Sequence, residues 1–161
     1  MIMCTNFFIA AAGASASLAG LVFVALSVNI NRILEYPQLP SRASATIGAL
    51  MLILICSMAT LIPQSALALG IEILVFSICG WTLKAWSAYR AIVDGRRTQR
   101  PVREAVTETL LGQIQVLPFI AGGVLLILGD PSGLYWLAGG VITAFVFSVF
   151  NAWVLLVEIL R

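Results

Sequence analysis

The chain has 161 residues, is 61% hydrophobic and 10% charged, and carries a net charge of +2. Soluble domains are about 25% charged, so this composition excludes an ordinary water-soluble fold. The absence of histidine excludes His-based acid–base chemistry, His ligation of haem or zinc, and a histidine pH switch.

The apolar runs are continuous rather than alternating, which excludes a β-barrel. They predict an all-α integral membrane bundle, one transmembrane domain over residues 1–161, because lipid leaves backbone groups few other ways to be satisfied. No basic patch interleaves with aromatics, so no nucleic-acid surface is expected. Cys4, Cys56 and Cys79 form no CxxC pair and read as small apolar residues without a disulfide framework.

The first span is expected over residues 7–28. Ala14-Ser15-Ala16 looks like a signal-peptidase site, but no positive n-region precedes it and the chain stays apolar to Val28, so the span is read as retained. Gly13, Ser17, Gly20, Val24, Ser27 and Asn31 recur at alternating spacings of four and three. Such a row of small and polar groups lets helices approach closely in lipid, either within the chain or between subunits.

Asn29-Ile30-Asn31-Arg32 ends this span. Pro37 and Pro40 break the following loop, and Ser41 is the expected N-cap of the next helix.

The second and third spans are expected over 43–62 and 66–85, joined by the tight turn Pro63-Gln64-Ser65. The third continues as a helix to about Asp94, with Trp81, Trp86 and Tyr89 marking an interface and Lys84 able to snorkel there. A fourth span is read over 109–128, with Gln113, Gln115, Pro118 and Gly122-Gly123 inside it. Asp130-Pro131-Ser132-Gly133 is a turn, and a fifth span follows over 134–157. Along it Gly140, Ala144, Ser148, Asn151 and Glu158 form a stripe, small-residue packing first, then an interhelical hydrogen bond from Asn151.

The segment 95–103 is the only long polar stretch and holds Arg96, Arg97, Arg100 and Arg103. Arginine resists translocation, so this loop is expected in the cytoplasm. Five spans then place every Lys and Arg on that side. The N-terminus is outside, the C-terminus is cytoplasmic, and the expected location is a bacterial inner membrane.

Glu72 carries the strongest functional signal, because an ionisable group inside a membrane is expensive. It lies about 10 Å into the third span at ~1.5 Å per residue. It reads either as a proton, cation or pore-lining site, or as a carboxyl hydrogen-bonded to hold the bundle. Pro118 cannot donate to the Ile114 carbonyl. The result is either a plain kink or a broken helix of the kind that forms transport sites.

Glu72, Gln113, Gln115, Asn151, Asn29, Asn31 and Lys84 are thus the candidate polar pathway. No nucleophile–base pair, HExxH, phosphate loop or GxSxG is present, so neither an enzyme nor a cofactor is expected. Two function classes follow: a small homo-oligomeric channel or transport-type protein, or a non-enzymatic accessory or regulatory subunit of a larger membrane complex. The expected partners are the lipid bilayer, further copies of the chain, and in the second case another membrane protein.

Overall fold

In the computed structural model, residues 2–35, 39–95 and 114–160 are described. All regular structure among them is helical: α1 (Ile2–Val28), α2 (Ile30–Glu35), α3 (Leu39–Leu61), α4 (Ala66–Gly95), α5 (Leu117–Ile127) and α6 (Gly133–Leu160). Three stretches are long and apolar enough to cross a membrane: Cys4–Val28, Ala43–Leu61 and Gly133–Val157. Shorter apolar helical stretches lie at Ala66–Thr82 and Leu117–Ile127. Large apolar side chains such as Leu21, Phe23, Phe76, Val146 and Phe150 face outward, which suits a lipid solvent and not water.

The alanine-rich first half of α1 favours a helix by propensity. Its buried face is Phe8, Ser15, Ala19 and Val22, spaced to fall on one side and packed mainly against α3. Asn29 ends the helix, its side-chain amide donating to the Ala25 carbonyl at 2.9 Å. In α2, Ile33 reaches back to bury with Ala43 and Leu155.

The second long helix starts at Leu39, two residues before the Ser41 cap that the sequence suggests. Pro40 tolerates this, since the missing N–H of a first-turn proline has no intrahelical partner to lose.

The α3–α4 turn is capped by Ser65, whose hydroxyl accepts the Ala68 amide at 3.2 Å, a standard helix-start contact. At the end of α5 the amide of Gly129 donates to Leu126 at 3.1 Å and that of Asp130 to Leu125 at 2.9 Å. This paired closure needs a left-handed residue, and Gly129 supplies it at φ 80°. These two turns lie at the same end of the bundle, called here the hairpin end, because Gly70 near the start of α4 meets Gly123 and Ile127 near the end of α5.

α3 is the hub. It packs on α1, α4 and α6, while α4 packs on α3 and α5, α5 on α4 and α6, and α6 on α3 and α1. Thus α3, α4, α5 and α6 close a ring, with α1 laid against the α3–α6 edge. The central place belongs to α3. Its buried residues, among them Thr46, Leu50, Ile53, Cys56 and Ala59, run around more of its circumference.

Candidate functional site

Gln64 and Glu72 meet across the turn between α3 and α4. The Gln64 side-chain amide donates to the Ala59 carbonyl at 3.2 Å and to Glu72 Oε2 at 2.9 Å. Pro63 makes the geometry, because it ends α3 and directs Gln64 back over the first turns of α4. Glu72 is half-buried and sits about 9 Å along α4 from Ala66 at ~1.5 Å per residue. Its carboxyl therefore holds the hairpin end together through an amide that bonds both helices.

The sequence reads a span over 109–128 that is kinked or broken near Pro118; the described part, 114–128, carries an interruption at Gln115–Val116. Ile114 is helical, Gln115 and Val116 form a turn, and α5 begins at Leu117 with Pro118 in its first turn. Phe119 and Ile120 both donate to the Val116 carbonyl, at 3.1 and 3.2 Å. Proline brings no amide to a preceding turn, so the hydrogen-bond ladder is interrupted at Gln115–Val116, while Val116 keeps right-handed helical dihedrals of φ −87° and ψ −23°. The interruption is buried: Gln115 is 6% exposed and Val116 1%.

Glycines seat this short helix. A Cβ on Gly70 would lie 2.8 Å from the Gly123 carbonyl oxygen, and one on Gly122 would lie 2.9 Å from the Gly133 carbonyl oxygen. The adjacent pair Gly122-Gly123 therefore faces two different neighbours, α6 and α4. Gly140 receives Pro118 and Phe119, with a Cβ there 3.1 Å from the Pro118 side chain. Pro118 also borders an open groove of about 340 Å³ with Tyr135, Trp136, Gly139 and Thr143, and a second hollow of about 170 Å³ lies between α1 and α6. Neither is lined by Glu72, Gln64 or Gln115.

Two groups of hydroxyls stand out. Ser15, Ser17, Thr60, Thr82 and Thr143 donate to carbonyls of their own helices at 2.6–3.0 Å. Ser57, Ser77 and Ser148 are fully buried, and their hydroxyls have no hydrogen-bond partner among the described residues.

The remaining sequence candidates are dispersed. Asn151 and Asn31 are exposed, and Asn29 is half-buried on its own helix. Gly140, Ala144 and Ser148 face the interior, whereas Gly13, Ser17 and Gly20 face outward, and a Cβ at Gly13 or Gly20 would meet nothing within 4 Å. Gln113 and the arginines Arg96, Arg97, Arg100 and Arg103 lie outside the described residues, as do the side chains of Lys84 and Glu158. Sequence reasoning did not single out Gln64 or Thr46. Gln64 was findable: it is the one long amide in a turn within reach of Glu72. Cys4, Cys56 and Cys79 are free thiols, and no group of metal-ligating side chains assembles among the described residues.

Fold and site define a class: an all-helical bundle with three helices long and apolar enough to cross a membrane. The chain matches no family model, and no curated protein or solved structure matches it.

Proposed function

We propose that this is a transport-type or channel protein of the membrane, working as a homo-oligomer and without catalytic residues. The observation that supports this reading is the helix break at Gln115–Val116. It lies about 17 Å from the hairpin end at ~1.5 Å per residue, close to the middle of a hydrocarbon core roughly 30 Å thick. A lapse in the helical hydrogen-bond ladder at that depth frees a backbone acceptor that must be buried in protein or face a wet cavity, and broken helices are a recurrent way to build ion and substrate sites. In this reading Gln115 stands at the break and Glu72 between it and the hairpin end. The chain crosses a bacterial inner membrane five times, and the arginines at 96, 97, 100 and 103 hold their loop in the cytoplasm, where they also suit anionic lipid or an acidic partner.

The second reading, an accessory or regulatory subunit, is favoured by the outward row Gly13, Ser17 and Gly20. Flux of ions and protons into liposomes containing the purified chain separates the two. The transport reading expects a flux that Gln115→Leu and Glu72→Gln change. No flux under any ion or voltage tried would sink it and leave the accessory reading, for which partners would be sought by purification from the native membrane.

A further inference from the structure

We propose that Ala59 and Glu72 form a site for a monovalent cation of ammonium size, which the side-chain amide of Gln64 occupies as a built-in plug. Both groups bond the same atom: Gln64 Nε2 stands 3.2 Å from the Ala59 carbonyl oxygen and 2.9 Å from Glu72 Oε2. The orientation of the amide follows from Ala59. A backbone carbonyl only accepts, so the nitrogen of Gln64, and not its oxygen, must face it. One point beside the α3–α4 turn is thus flanked by two acceptors from two different helices.

Pro63 creates the first acceptor. In an unbroken helix the amide of residue 63 would donate to the Ala59 carbonyl four residues back, and proline has none to give. The Ile62 amide donates there instead, at 3.3 Å, which is long for such a bond. Ala59 is buried, and its carbonyl lies in the last turn of α3, where the negative end of the helix dipole collects.

Glu72 supplies the second acceptor. It is half-buried. The sequence holds no Lys or Arg between residues 43 and 83 or between 104 and 160, so neither α5 nor the halves of α3 and α4 that flank the turn carry one. An amide satisfies a hydrogen bond but brings no charge. A cation in the place of Nε2 would meet the same two oxygens and neutralise the carboxylate as well. Freed carbonyls and helix C-termini hold monovalent ions in membrane transporters in this way.

Size and valence follow from the distances. Contacts of 2.9 and 3.2 Å are those of an N–H donor to oxygen. Calcium and magnesium sit closer, at about 2.0–2.6 Å, and take about six or more oxygens. No group of metal-ligating side chains assembles among the described residues. The proposal gives a ligand to the Glu72 of the transport reading. Binding is measured without flux, so either can fail while the other stands.

The test unfolds the full chain by detergent in ammonium chloride, or in choline chloride of equal ionic strength, choline being too large for the place of one nitrogen. A single bound ion lowers the unfolding constant about tenfold for each tenfold rise in ammonium above its dissociation constant. That response is expected in Gln64→Ala, where the plug is gone. It is weaker in the wild type, where the amide competes, and absent in Gln64→Ala/Glu72→Gln. Equal midpoints in the two salts for Gln64→Ala overturn the proposal, and a proton on Glu72 in place of the cation gives that result. An ammonium response that survives Glu72→Gln overturns it too. If Gln64→Ala assembles in neither salt, Gln64→Lys decides, because it ties an ammonium group to the same backbone position. Assembly of Gln64→Lys that is lost in Gln64→Lys/Glu72→Gln supports the site. Failure of Gln64→Lys to assemble, or assembly indifferent to Glu72, overturns it.

Discussion

Gly70 and Gly123 meet backbone to backbone: a Cβ on Gly70 would lie 2.8 Å from the Gly123 carbonyl oxygen, and one on Gly123 would lie 3.2 Å from the Gly70 carbonyl oxygen. Between apolar helices in lipid there is no hydrophobic driving force, so close packing carries much of the association. Gly70→Val and Gly123→Val are expected to destabilise the bundle by about 1–3 kcal/mol each, the usual range for overpacking. Detergent-unfolding midpoints measure this, and wild-type values for both would remove the contact from any account of stability.

The outward face of α1 gives the opposite expectation. Gly13→Leu and Gly20→Leu add side chains where nothing stands within 4 Å for a Cβ to meet, so the isolated chain should change by no more than about 0.5 kcal/mol. If copies associate through this row, cross-linking in native membranes will fall while the fold persists. Unchanged cross-linking would place the subunit contact elsewhere.

At the α3–α4 turn, Gln64 bonds both Ala59 and Glu72. Gln64→Leu removes both bonds, an effect of about 0.6–1.7 kcal/mol by analogy with polar contacts between membrane helices. Glu72→Gln retains an acceptor for the Gln64 amide and should cost less. A double-mutant cycle of Gln64→Leu with Glu72→Leu will return a favourable coupling if the clip stabilises the hairpin. Simple additivity would show that the two groups act apart.

Acid should weaken the α5–α6 turn through Asp130. The Ser132 amide donates to its carboxylate at 2.8 Å, and this bond, followed by the Ser132 hydroxyl, holds the Asp130 carboxyl below its ordinary value. A carboxyl with a lowered folded-state pKa gives stability that is complete above the ordinary value and is lost as pH falls through the lowered one. Asp130→Asn keeps an acceptor but cannot titrate. Its unfolding midpoint should fall less than that of the wild type between about pH 7 and about pH 2, the window that spans carboxyl titration. Equal falls would assign the acid sensitivity to other groups.

The helices were legible because their interruptions are chemical. Pro63 ends α3, Ser65 caps α4, and the Gly129-Asp130-Pro131 sequence closes α5. The break at Gln115–Val116 was only half legible. Pro118 announced a disturbance, but hydropathy runs on through it, so a plain kink and a broken helix read alike. The faces were the least legible. In water a buried helix face is apolar and the other polar, whereas in lipid both are apolar. The row Gly13, Ser17 and Gly20 could therefore be counted but not oriented, and the buried face of α1 turned out to pass through Phe8, Ser15 and Ala19. Ser148 read as a small packing residue for the same reason, since nothing in a sequence tells where a hydroxyl turns.

The length of α4 has a consequence for where the protein can reside. Its 30 helical residues make a rod of about 45 Å at ~1.5 Å per residue, well beyond a hydrocarbon thickness of roughly 30 Å. Trp81 and Trp86 both stand exposed on it, about 7.5 Å apart along the axis by the same rise. An indole anchors well at a lipid–water boundary, and these two offer successive moorings on one unbroken helix. A bilayer placed around this helix would find an aromatic at its edge over a range of several ångströms in thickness, with no bend needed in the helix that carries it.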